Sequence, residues 1–373
     1  MNRNYFHTID ALRFFAFLAV FLGHIPTYNQ ISWHIPVGNM GTIGVNFFFV
    51  LSGFLITYLL VKEKLEFSSI NLKLFFIRRI LRTWPLYFLL LLVLLLIPYG
   101  ILNKMGLINQ SGYSPDWIFS FSFLENYKII LNDNLNQLTP VNVNWSLCIE
   151  EHFYLLFPFL IKIIPVKRIP ASLLMLILLS ISAKLYIGFI FHKPDIIGME
   201  LITCLDLFSF GGIVGYFIAT GNKQVSEFMS SIPGLYKRVY LLLVIAIVFS
   251  ASFFSGKGNP IDIIYPTIQG ILFALLISIF VFRNPSMMIS EKNILSYFGK
   301  ISYGLYLFHV GIINCLYLVF VMLGHPLNNS LTLIAFILIA LSIIILVSHF
   351  SYLLIESPIL GIKNKYFSRQ RLS

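Results

Sequence analysis

Charged side chains are scarce in this chain. Asp, Glu, Lys and Arg make up 11% of its 373 residues, against about a quarter in soluble domains, and the shortfall excludes an ordinary water-soluble globule. Acids are scarcer than bases, 15 against 26. Cysteine occurs only as Cys148, Cys204 and Cys315, each inside an apolar stretch and none in a C-x-x-C pair. An odd, widely spaced set builds neither a disulfide framework nor a metal site, so these residues are read as small packing groups and no metal is expected. His7, His34, His152, His192, His325 and His349 show no metal-ligand spacing either. Walker, Rossmann and serine-elbow patterns are missing, which removes the common nucleotide-binding and hydrolase signatures. The two halves show no internal repeat, a point against the secondary transporters built from such repeats.

What the chain has in quantity is long apolar runs. Hydrophobic residues make up 58% of it and its mean hydropathy is +0.86. Ten runs stand out, at 9-27, 40-61, 75-99, 146-165, 170-190, 201-219, 236-254, 263-282, 300-322 and 331-356, most of them near the ~20 residues that a membrane-spanning helix requires. The expectation is an all-α polytopic membrane protein of about ten transmembrane helices, forming one transmembrane domain over 1-373 with no appended soluble domain. Asp10 and Arg13 open the first run and no small-x-small pattern closes it, so it reads as a retained helix rather than a signal peptide.

The net charge of +11 follows the same plan. With the N-terminus inside, the inner segments hold 20 of the 26 Lys and Arg, whereas the outer loops hold Lys104, Lys128, Lys193 and Lys257. That split obeys the positive-inside rule and puts both termini in the cytoplasm. The basic charge therefore reports topology, and no nucleic-acid partner is expected. One outer segment, 100-143, is long and rich in Asn towards its end. A loop of that length before a motif-bearing helix reads as substrate-facing.

Four constellations carry chemistry. In TIDALRFFAFLAVFLGH (8-24), Asp10, Arg13 and His24 recur at whole helical turns, so they share a face, and a rise of roughly 16 Å separates Arg13 from His24. Titratable groups inside an apolar helix are costly and mark functional sites by default. Imidazole is also the side chain suited to taking a proton near neutral pH. The bland alternative is an Asp10–Arg13 pair with an interfacial His24. In IGVNFFFVLSGFLI (43-56), Ser52-Gly53 is a notch for close helix approach, and Asn46 reads as an inter-helix hydrogen-bonding group. In RRILRTWPLY (78-87), Arg78, Arg79 and Arg82 are spaced to converge and suit phosphate; the alternative is an ordinary cytoplasmic anchor. In NWSLCIEEHFYLLFP (144-158), Glu150 shares a face with Tyr154 and is suited to orient an imidazole. Asp206, His309 and Glu356 are polar groups at membrane depth that read as structural.

Taken in this order, the stretches IDALR…H, GVNFFFVLSGFLI, RRILRTWPLY, WSLCIEEHFYLLFP, ISYGLYLFH (301-309) and IESP (355-358) resemble the acyltransferase-3 family of integral membrane acyltransferases. The resemblance covers nearly the whole chain. It implies ten or eleven helices in the inner (cytoplasmic) membrane that move an acetyl group from cytoplasmic acetyl-CoA to a hydroxyl of a cell-surface glycan or lipid-linked saccharide. It also implies that Arg13 and His24 are the family's functional Arg and His. Arg78, Arg79 and Arg82 would belong to its arginine motif beside the acyl-CoA, and Glu150 would be its motif acid. This sequence departs from the family pattern at Ala11 and Phe14, where glycines are common, at Asn46, where an acid is common, and at Cys204, where an arginine is common. On this reading His24 acts as general base or transient acetyl carrier. The competing reading is a transporter or flippase that uses the same polar groups as a pathway and consumes no acetyl-CoA.

Overall fold

The computed structural model describes residues 7–26, 40–97, 117–131, 142–254, 260–282, 289–290, 292–325, 327 and 329–367. Among these every regular element is helical. The helices are α1 (His7–Gly23), α2 (Met40–Phe67), α3 (Leu72–Leu96), α4 (Trp117–Phe121) and α5 (Glu125–Leu131). They continue with α6 (Trp145–Ile163), α7 (Ile169–Leu185), α8 (Leu201–Thr220), α9 (Lys223–Ser231) and α10 (Gly234–Phe254). The last five are α11 (Pro260–Val281), α12 (Ile294–Lys300), α13 (Ser302–Met322), α14 (Ser330–Ser351) and α15 (Ser357–Tyr366). Seven described helices are long and apolar enough to cross a membrane, or eight if the bent pair α9–α10 is one crossing. The chain is thus an all-helical polytopic membrane protein. Two expected spans fall outside that set for visible reasons: α1 is 17 residues long, and α6 carries Glu150, Glu151 and Lys162.

Contacts divide the chain into two compact units whose segments alternate along the sequence. Unit 1 comprises Met1–Gly23, Gly38–Ile70 and His152–Lys300. Apolar burial gives helices in lipid little reason to associate, so close packing and polar contacts must hold them. Unit 1 uses both. A Cβ on Gly53 of α2 would overlap the Phe208 carbonyl of α8, and one on Gly211 would overlap the Val50 carbonyl of α2. The Ser52-Gly53 notch and the Gly211-x-x-x-Gly215 stripe therefore let two backbones touch, as the sequence led us to expect of the notch. Tyr154 Oη donates to Ser52 Oγ at 3.2 Å, and Asn46 Nδ2 of α2 donates to Gln269 Oε1 of α11 at 2.6 Å. The inter-helix role read for Asn46 is thus observed.

The polar centre of unit 1 is an ion pair. Lys184 Nζ of α7 donates to Asp206 Oδ2 of α8 at 2.5 Å and to Thr267 Oγ1 of α11 at 3.0 Å. Thr267 Oγ1 and Ser180 Oγ donate to the two Asp206 oxygens, at 2.6 and 3.0 Å. Both charges are fully buried, and every polar atom of the cluster has a partner, the condition under which a buried charge is tolerated. Cys204 donates instead to the Gly198 carbonyl, at 3.2 Å.

Unit 2 comprises His24–Val37, Asn71–Glu151 and Ile301–Ser373, and so takes the first turns of α6. Asn71 caps α3, its Oδ1 accepting from Leu74 N at 3.0 Å. Part of the long outer segment folds here: Tyr87 Oη donates to the Ser120 carbonyl at 2.7 Å, and Phe123 stacks on Tyr87 at 4.5 Å. Glu125 accepts from Ser120 Oγ at 2.8 Å and is fully buried, and Lys128 is buried too, although the sequence counts it among outer loop cations. The remainder of 100-143 lies outside the described residues, as does His34.

Candidate active site

The functional side chains expected from the sequence divide between the two units. In unit 1, Arg13 Nη1 donates to Asp10 Oδ1 at 3.0 Å, an i,i+3 ion pair near the start of α1. This is the pair that the bland alternative named. The helix ends at Gly23, and His24 follows it in a turn. The eleven-residue helical phase thus holds for Arg13 but stops one residue short of His24, whose direction is set by the turn.

In unit 2, His24 meets a partner that the sequence reading had left as structural. Its ring stands edge-on to that of His309 of α13, with centroids 4.9 Å apart and planes at 76°. His309 is fully buried. Its Nδ1 lies 2.5 Å from the Tyr306 carbonyl oxygen. A carbonyl can only accept, so the Nδ1 of His309 bears the proton and the tautomer of the ring is fixed. Tyr306 in turn reaches the first turn of α6. Its Oη lies 2.5 Å from Ser146 Oγ and donates to the Val143 carbonyl at 3.0 Å. Ser146 and Glu150 are i,i+4 on α6, so Glu150 occupies the same face one turn on. His24, His309, Tyr306, Ser146 and Glu150 therefore belong to one neighbourhood of unit 2.

A second neighbourhood surrounds the arginines of α3. Arg78 Nε donates to the Phe367 carbonyl at 2.6 Å, and the Arg79 guanidinium lies 5.7 Å from the Phe75 ring centroid. The helix α3 that carries Arg82 packs against the turn Tyr352–Glu356. Just beyond the arginines, Glu151 accepts from Thr83 Oγ1 at 2.8 Å and from Trp84 Nε1 at 3.1 Å, while Tyr303 donates to the Thr83 carbonyl at 2.6 Å. Of the adjacent carboxylates, Glu151 thus clamps α6 to the arginine helix, a role the sequence reading did not give it. The available signal was phase: neighbouring residues point about 100° apart on a helix, so two adjacent acids must serve different partners. Among the described residues, no group of three or more His, Cys, Asp or Glu side chains gathers as a metal-binding set.

The chain matches the model of an acyltransferase domain over residues 6–349. It is 28% identical over 333 residues to the peptidoglycan O-acetyltransferase OatA of Listeria monocytogenes, covering 84% of this chain and 50% of that protein. It is 29% identical over 368 residues to the O-acetyltransferase OatA of Staphylococcus aureus, covering 95% of this chain and 57% of that protein. The chain thus spans about half the length of the curated relatives it matches. No solved structure matches it.

Proposed function

This chain belongs to the acyltransferase-3 family, and from that premise we propose that it moves an acetyl group from cytoplasmic acetyl-CoA to a hydroxyl of a cell-wall glycan. The name of the Listeria monocytogenes relative supports the acceptor class, and that of the Staphylococcus aureus relative supports O-acetyl transfer. The contact between His24 and His309 carries the reading at the level of residues. A buried, tautomer-fixed imidazole against a second imidazole is an arrangement for handling a proton, and a membrane helix holds such groups at a cost that packing alone does not explain.

In the proposed scheme the phosphates of the donor rest on Arg78, Arg79 and Arg82, and the acyl end reaches towards His24. His24 takes the proton of the acceptor hydroxyl as its oxygen attacks the thioester carbonyl, and the proton then passes to the departing CoA thiolate. Alternatively the acetyl group rests on His24 before reaching the glycan, with the same overall balance. Glu150 orients the imidazole. The test is release of CoA from acetyl-CoA by protein in vesicles supplied with a cell-wall glycan fraction. His24→Ala is expected to lower the rate by ~10²-fold or more, and Arg82→Ala to raise the acetyl-CoA concentration needed for half-maximal rate. Wild-type behaviour of both variants would overturn the scheme, and transport without CoA release would favour a transporter.

A further inference from the structure

The last long helix carries a buried polar cluster that the scheme above does not use. Between α14 and α15 the chain makes a π-helical turn, Tyr352–Glu356, closed by the Ser357 N–H on the Tyr352 carbonyl. Such turns insert one residue into an α-helix and recur at functional sites. Here the insertion has a definite effect. In an unbroken helix the face of Ser348 returns two turns later near position 355; the extra residue brings Glu356 to that face instead. Across from it lies Gly304 of α13. A methyl group there would stand 3.4 Å from Ser348 Oγ and 3.5 Å from Glu356 Oε1, so both oxygens converge on one bare α-carbon.

Ser348 is fully buried, and Ser351 and Glu356 are each 8% exposed. Ser348 Oγ, Ser351 Oγ and Glu356 Oε1 have no hydrogen-bond partner among the described residues. An unsatisfied buried hydroxyl or carboxyl oxygen destabilises the fold, so three of them together call for an explanation. The oxygens present mainly acceptors, which suits a ligand that brings N–H or O–H donors without negative charge. A phosphate is the wrong ligand beside a carboxyl group. The π-helical turn nevertheless packs against α3, which puts the cluster beside the helix whose arginines are proposed to hold phosphates.

We propose that Ser348 and Glu356, which converge on Gly304, together with Ser351 three residues on from Ser348, form a subsite for the amide-bearing pantetheine arm of the acyl-CoA. This rests on the donor proposed above. The arm is the uncharged segment joined to those phosphates, and its two amide N–H groups and its hydroxyl are the donors the cluster lacks. The same donor chemistry could come from the hydroxyls of a saccharide acceptor, and the test separates the two.

The experiment measures binding of CoA, pantetheine, 3′,5′-ADP and a soluble peptidoglycan fragment to the full chain in lipid nanodiscs. Wild type is compared with Glu356→Gln, Ser348→Ala and Gly304→Ala, each checked for an unchanged unfolding temperature. The expected result is that the variants weaken CoA and pantetheine binding about tenfold while leaving 3′,5′-ADP binding as in wild type. Wild-type pantetheine binding by well-folded Glu356→Gln and Ser348→Ala overturns the subsite, as does a loss confined to the glycan fragment. If wild type binds neither CoA nor 3′,5′-ADP, the donor reading itself fails, an outcome distinct from failure of the subsite alone.

Discussion

Lys184 and Asp206 show how a single residue can escape a motif-based reading. The family pattern directs attention two positions before Asp206, where this chain has Cys204. The cation instead arrives 22 residues upstream from another helix, completing a cluster in which every polar atom is matched. A spacing rule within one segment cannot register a partner supplied through tertiary packing, and the contact of His309 with His24 escaped for the same reason. The types of the chemical residues were legible, because Arg, His and Glu inside apolar runs announce themselves. Their partners were not. The ion pair yields a prediction with opposite signs for one and two substitutions. Lys184→Met leaves Asp206 buried without its cation and is expected to cost ~3–5 kcal/mol, whereas Lys184→Met with Asp206→Leu is expected to recover most of that loss. In the double variant Ser180 and Thr267 can turn back to carbonyls of their own helices. Denaturant unfolding in detergent micelles reads both. Equal losses in the single and double variants would mean that stability does not rest on satisfying these charges.

At the scale of the element, apolar runs located the helices well and their ends less well. The run 40-61 became α2, which continues to Phe67, and the run 331-356 continues through a π-helical turn into α15. Hydropathy records where lipid-like residues stop. A helix continues past that point when its polar end finds partners, as Lys64 does by donating to the carbonyls of Ile161, Lys162 and Ile164 at 2.8, 2.9 and 2.6 Å. What fixes which helices touch is the small-residue stripe. Gly53→Ala places a methyl group against the backbone of Phe208 and is expected to destabilise by ~1–3 kcal/mol through overpacking. Gly361→Ala, in the interior of α15 with nothing within 4 Å of the added carbon, is expected to be neutral or to stabilise by up to ~1 kcal/mol. Unfolding temperatures of the two variants should therefore move apart. A Gly53→Ala protein as stable as wild type would show that α2 and α8 can separate freely.

For the whole molecule, the units interleave along the chain, so no linker or shift of composition marks where one gives way to the other; α6 itself changes unit between Glu151 and His152. An orientation is expected from the cations that alternate from loop to loop, and it is the premise on which the proposed catalytic scheme stands. Lys167, His192 and Lys223 are exposed in short connections or at a helix start, and the charge pattern puts Lys167 and Lys223 in the cytoplasm and His192 outside. Cys148 and Cys204 are buried, so with Cys315 replaced by Ala a single introduced cysteine can be followed. A membrane-impermeant maleimide applied to intact cells is expected to label His192→Cys at once, and Lys167→Cys and Lys223→Cys only after permeabilisation. The reverse pattern would do more than invert a drawing. It would set Arg78, Arg79 and Arg82 on the face away from the cytoplasm, and the arginines could no longer be the proposed entry point for the phosphates of a cytoplasmic donor.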